Sequence, residues 1–219
     1  MTPARPMLRA GALLAAFAVF AATVLAGVHA LTRDQITAAQ QARLLRELNA
    51  VLPNSRYDNA LATDTVTLDD PALGEGARTV YLARKGERPV ASIFTVTAPD
   101  GYSGPIELLV GVQVDGQLTG VRVTQHRETP GLGDKIETRK SSWILSFDGL
   151  GLGNTPERDW AVRKDGGRFD QFTGATITPR AVVAAVHRTL QVAAARQHEW
   201  FTGVPAPGAD AAPPEEAPQ

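Results

Sequence analysis

Between Arg9 and Arg33 the chain runs for 23 residues without a formal charge, AGALLAAFAVFAATVLAGVHALT. No other feature constrains its fold as strongly. At about 1.5 Å rise per residue, such a run makes a helix of roughly 34 Å, enough to cross a hydrocarbon core of about 30 Å. Arg5 and Arg9 precede it and no acid does, so the positive-inside rule keeps residues 1–9 in the cytoplasm. A span over 10–32 then carries everything after Arg33 to the far side of the membrane. The rival reading is a cleaved signal peptide, with Val28-His29-Ala30 supplying small residues near its end. The apolar stretch is long for a signal peptide and has no polar break before that site, which favours a retained anchor. Both readings place the folded part outside the cytoplasm. Gly11, Ala15, Ala18 and Ala22 lie along one side of the span; they fit a helix-packing face and a merely alanine-rich helix equally well.

The remainder of the 219 residues has room for one domain of ordinary size. Lys and Arg number 22 against 23 Asp and Glu, a balance that argues against nucleic-acid binding. A hydrophobic share of 43% excludes a disordered chain. The absence of cysteine excludes disulfides, zinc-thiolate sites, cysteine-ligated clusters and a catalytic thiol. Four scattered histidines show no paired metal-binding spacing. Redox or catalytic work would therefore need a bound cofactor or oxygen chemistry.

After the anchor, Leu44, Leu45, Leu48, Val51 and Leu52 recur at helical spacing. Thr32 or Asp34 is available to cap this second helix, and Pro53-Asn54 ends it. Strands are expected at Val66–Leu68, Val80–Leu82 and Val90–Val96. A hairpin is expected from Ile106–Val114 and Leu118–Gln125 around Asp115-Gly116. A helix is expected from Asp134 past Trp143 to Ser146, a short strand at Trp160-Ala161-Val162, and a turn at 164–167. The last helix has Thr178 as N-cap and Pro179 at its first position, with Val182, Val183, Val186 and Leu190 as its apolar face. It fades near Trp200. The pattern is an α+β domain over 33–202: antiparallel sheet with packed helices. The Pro/Ala/Glu-rich stretch 203–219 reads as a disordered tail. Trp143, Trp160 and Trp200 read as core or edge packing, and Arg139 and Lys140 as a solvated helix face.

Two segments are able to carry chemistry. In Asp170-Gln171-Phe172-Thr173-Gly174-Ala175-Thr176-Ile177-Thr178-Pro179, small residues allow close approach to a backbone that leads into a helix N-terminus. Free N–H groups and the helix dipole favour phosphate there, and a hydroxyl can hold it by hydrogen bond or ester. A plain turn before a capped helix accounts for the same residues. In His126-Arg127-Glu128-Thr129-Pro130-Gly131-Leu132-Gly133-Asp134-Lys135, the glycines form neither a dinucleotide nor a Walker loop. His126, Glu128 and Lys135 are candidate acid–base groups, and a strand-to-helix loop with a charged rim is the plainer alternative.

The phrase DQFTGAT closely resembles the flavinylation motif of proteins that carry FMN on a threonine through a phosphoester. HRETPGLGDKIE resembles the loop that accompanies it in the FMN-binding domain family. With GPIELLVGV before and RKSSWILSF after, residues 8–198 resemble the G subunits of Rnf ion-translocating electron transport complexes. The resemblance implies that Thr176 is the esterified residue. Asp170, Thr173, Gly174 and Ala175 would be its recognition sequence for a flavin transferase that moves FMN from FAD. The loop with His126, Glu128, Thr129, Gly131, Leu132 and Gly133 would lie close to the flavin. The same resemblance implies a single-pass protein of the cell inner membrane with a periplasmic domain. It would relay electrons within a multi-subunit complex that couples ferredoxin/NAD chemistry to ion movement. With one span and only His29 as an intramembrane ionisable group, the chain would not conduct the ion itself. Alternatives are a stand-alone tethered or secreted FMN reductase, the analogous C subunit of a sodium-pumping NADH:quinone oxidoreductase, and an anchored domain without cofactor.

Overall fold

The computed structural model describes residues 4–202; the predicted tail at 203–219 lies outside the described residues. The chain divides into two compact units at Leu44/Leu45. The first helix, α1, spans Ala4–Val51. Among the described residues it is the one helix long and apolar enough to cross a membrane. The expected break after the anchor is absent. Neither Gly nor Pro occurs between Gly27 and Pro53, and the Thr32 hydroxyl bonds back to the Val28 carbonyl at 2.9 Å instead of capping a new helix.

The second unit is built on an antiparallel five-stranded meander in chain order. Its strands are β1 (Thr65–Asp69), β2 (Ala77–Lys85), β3 (Arg88–Ala98), β4 (Ile106–Gln113) and β5 (Leu118–Gln125). Five of the six expected strands are present. The α+β expectation holds, with β4 and β5 paired across the expected turn at Asp115-Gly116. Alternation sets the two faces. On one face lie Val80, Leu82, Phe94, Val96, Ile106, Leu108, Val110 and Val112, all buried. The closing helix α2 (Ile177–Thr202) packs there against β3 and β4 through Val182, Val183, Val186 and Leu190. Each such side chain stabilises the fold by about 1.5–3 kcal/mol. Gln197 is buried on the same face, and its amide donates to the Val112 carbonyl at 3.0 Å. At one end, Trp143, Phe147, Phe169 and Phe172 form an aromatic cluster, with Phe147 and Phe169 stacked at 4.4 Å.

The other face receives the end of α1. Leu48, Val51 and Leu52 are buried, as the helical stripe implies, while Leu45 stays exposed. Gly111 and Gly120 face each other across β4 and β5 and make the notch for Val51. A methyl added at Gly111 would sit 2.5 Å from Val51 Cγ1 and 2.1 Å from Thr119 Oγ1. Gly111→Val is therefore expected to cost about 3 kcal/mol by overpacking. Gly153→Ala, which meets nothing within 4 Å, is expected to be neutral. Thermal melts of the full chain in detergent check both.

Three local expectations are corrected. The segment expected to be helical from 134 to 146 is two short 3₁₀ turns, Gly133–Ile136 and Trp143–Phe147. The Ser141 hydroxyl takes the Trp143 N–H at 3.0 Å and Ser146 bonds the Trp143 carbonyl at 2.7 Å, so side chains compete with the helical ladder. Arg139 and Lys140 are exposed, but on the connection between these turns rather than on a helix. Residues 160–162 form no strand; Val162 makes one isolated parallel bridge to Phe169. Finally, α2 starts at Ile177, so Thr178 lies inside the first turn and does not cap it.

Candidate functional site

Phe172, Thr173, Gly174 and Ala175 form a tight turn closed by Ala175 N–H to the Phe172 carbonyl at 3.0 Å. Gly174 sits at φ +80°, the third position of a type II turn, where side chains are strained. The turn is held from below. Trp143 donates its indole N–H to the Asp170 carbonyl at 2.7 Å and packs edge-on against Phe172 at 5.1 Å. The Asp170 carboxylate points outward and pairs with Arg163 at 2.8 Å. Thr173 is exposed, and Ala175 and Thr176 are half-buried immediately before α2.

The second loop repeats the same geometry. Thr129-Pro130-Gly131-Leu132 closes through Leu132 N–H to the Thr129 carbonyl at 3.1 Å, with Gly131 at φ +80°. Proline fits the second position and glycine the third. The two turns face each other: a Cβ built on Gly174 would touch Leu132 Cδ2 at 3.5 Å. Leu132 is 41% exposed and Ile177 46%, so the rim beside Thr176 presents apolar side chains to solvent.

Glu128 does not face this rim. It is 4% exposed. One carboxylate oxygen accepts the Ser103 N–H at 3.0 Å and the other accepts the Thr178 hydroxyl. Gly133 packs directly over this pair; a Cβ there would lie 2.7 Å from Glu128 Oε2. Glu128 thus ties three segments together and is a positioning group rather than an acid–base group at the surface. His126 is likewise engaged. Its Nδ1 accepts the Glu128 N–H at 3.0 Å, which leaves the proton on Nε2, directed at Glu137 Oε1 at 3.1 Å. His126, Glu137, Arg139 and Lys140 line an open cavity of about 560 Å³ on this side of the loop.

Asp134 fixes the loop. Its carboxylate accepts the Gly131 N–H at 2.8 Å, which, with Lys140 nearby, holds its pKa below the ordinary value. The hydrogen bond from Arg139, and then that from His126, does the same for Glu137. Depressed folded-state values mean that the stabilisation is complete above the ordinary carboxylate range, about pH 4. It is lost as pH falls through the lowered values. Urea midpoints measured from pH 7 down to 2.5 are expected to fall less steeply in Asp134→Asn than in the wild type.

The glycine turns of the two predicted segments therefore meet at one rim, and Glu128 and His126 lie beneath it. Sequence reasoning missed Ser103, Thr178 and Trp143 as the groups that hold the rim. Ser103 acts through its backbone N–H, which carries no residue-type signature, and Thr178 has the look of a cap.

Residues 101–191 match the FMN-binding domain family and residues 1–51 the RnfG N-terminal region. The chain is 51% identical over 180 residues to the G subunit of the ion-translocating oxidoreductase complex of Escherichia coli K12, covering 81% of this chain and 86% of the relative. It is 51% identical to the corresponding protein of Salmonella typhimurium LT2 with the same coverage. With that of Vibrio cholerae it shares 48% over 183 residues, 83% of this chain and 87% of the relative. With anchor helix, sheet, rim and FMN-binding domain all in place, the chain belongs to the family of G subunits of ion-translocating oxidoreductase complexes.

Proposed function

We propose that this protein is the FMN-carrying electron-transfer subunit of a membrane-bound ion-translocating oxidoreductase, with FMN attached to Thr176 through a phosphoester. One observation carries the reading: the DQFTGAT threonine stands at the head of a 26-residue helix, on a rim made by two glycine turns in contact. The residues present fit the group. The head of α2 favours an anionic phosphodiester, and Leu132 and Ile177 offer apolar surface to the ring. Thr178, the other hydroxyl nearby on α2, is buried and committed to Glu128.

Maturation would run as a phosphoryl transfer. In a flavin transferase the Thr176 hydroxyl would take the FMN-side phosphoryl group of FAD, with AMP as the leaving group and the hydroxyl proton passing to solvent. Bound flavin supplies one- and two-electron chemistry. The chain's own residues place it: Trp143 and Glu128 hold the two turns, and Leu132 and Ile177 keep water from one side. The anchor, residues 10–32, ties the protein to the inner membrane, with 1–9 cytoplasmic and 33–202 periplasmic. Other subunits of the complex supply and accept electrons and move the ion. A covalent link suits that location, because a cofactor lost outside the cytoplasm is not replaced from the cytoplasmic pool.

The test is peptide mass spectrometry of the full chain, purified from membranes of cells that also produce a flavin transferase. An FMN-sized increment on the 170–180 peptide is expected. An unmodified peptide would refute the assignment. A protein that purifies without membrane partners and reduces a soluble acceptor alone would instead favour the stand-alone reductase.

A further inference from the structure

Arg180 is an anomaly in α2. It is a cation in the first turn of a helix, where the dipole disfavours positive charge, and no acidic residue shares that turn. Its guanidinium is instead held by Asp165, with both hydrogen bonds at 2.6 Å. That hydrogen bond is the main cause of the lowered Asp165 pKa. Both partners are well exposed, with side chains 44% and 37% accessible, so the pair contributes little to stability by itself. The Arg180 N–H donates to the Thr176 carbonyl at 3.4 Å. Arg180 and Thr176 are therefore one helical turn apart, a spacing at which side chains are neighbours. From residue 163 to 180 the chain carries four cations, Arg163, Lys164, Arg168 and Arg180, against only Asp165 and Asp170. With Arg163 paired to Asp170 and Arg180 to Asp165, this segment keeps a cationic excess in Lys164 and Arg168.

We propose that Arg180 is the counter-ion of the phosphate linked to Thr176, with Asp165 pairing the guanidinium only until the phosphate takes its place. This rests on the Thr176 assignment and adds a residue to it. A phosphodiester at Thr176 places a negative charge within reach of Arg180, and a guanidinium matches two phosphate oxygens as it matches a carboxylate. The cation in the first turn is then offset by Asp165 before attachment and by the phosphate after it.

The test uses the full chain co-produced with the transferase, as wild type, Arg180→Gln, Arg180→Lys and Asp165→Asn. Fractional FMN attachment is followed by mass spectrometry, and the phosphodiester by ³¹P NMR on the loaded protein. Arg180→Gln is expected to slow attachment by about fivefold and to move the ³¹P resonance, with Arg180→Lys intermediate. Attachment at the wild-type rate with an unmoved resonance would overturn the proposal and make the pair a surface ion pair only. If Arg180→Gln carries no adduct, Asp165→Asn decides. Wild-type or faster loading supports the counter-ion, because the guanidinium is freed. Loss of loading there too would make the pair a clamp on the 163–180 segment and end the proposal. Absence of an adduct from Thr176 in the wild type is a different result, and it refutes the parent assignment.

Discussion

Thr176→Ala is expected to yield a folded, membrane-bound chain with no covalent FMN, while Thr176→Ser keeps it. The effect on the cofactor should be all or none, because among the described residues Thr176 alone is the hydroxyl immediately before α2. Thr173 is exposed on the outer corner of its turn, and Thr178 is buried and donates to Glu128. The effect on stability should be small. Thr176 is half-buried just before α2, and losing a hydroxyl at a helix start costs about 1 kcal/mol. Peptide mass spectrometry and in-gel flavin fluorescence read the cofactor; circular dichroism reads the fold. An adduct persisting in Thr176→Ala would mean that the chemistry is right and the residue wrong.

Glu128→Ala should have the largest effect on stability at the site. It strands two donors, the half-buried Ser103 N–H and the buried Thr178 hydroxyl. At about 1–3 kcal/mol for each unsatisfied group, the expected loss is about 4 kcal/mol. Glu128→Gln should lose about half as much, since its amide oxygen still accepts one of the two. FMN attachment should fall in step, because the carboxylate joins the 101–104 turn, the 128–133 loop and the start of α2. The signature is non-additivity. Thr178→Val combined with Glu128→Ala should cost less than the sum of the single changes, since the double variant leaves one fewer donor stranded. Additive melting shifts would contradict a shared tie.

The parts of this molecule legible in its sequence are those whose causes are local. Alternating apolar residues with Asp115-Gly116 between them specify the β4–β5 hairpin, and the four-residue apolar stripe from Val182 specifies the buried face of α2. The parts that are not legible depend on distant partners. Thr178 has the composition of an N-cap, yet its hydroxyl goes to a carboxylate 50 residues away. Residues 134–146 have apolar residues at helical spacing, but the serines at 141 and 146 bond the backbone around Trp143. That indole in turn reaches across to the Asp170 carbonyl. The motif residues are readable because they are chemically unusual. The roles of Glu128 and His126 are not, because nothing in HRETPGLGD says which side chains turn inward.

The closing helix also sets a distance. At about 1.5 Å per residue, the 26 residues of α2 form a rod of roughly 39 Å. Thr176 stands at one end of it and Thr202 at the other. A reporter, affinity tag or crosslinker installed after Thr202 would therefore begin far from the rim and leave its turns untouched. A spin label placed there would have a built-in ruler to Thr176, one that changes if the helix bends or unwinds.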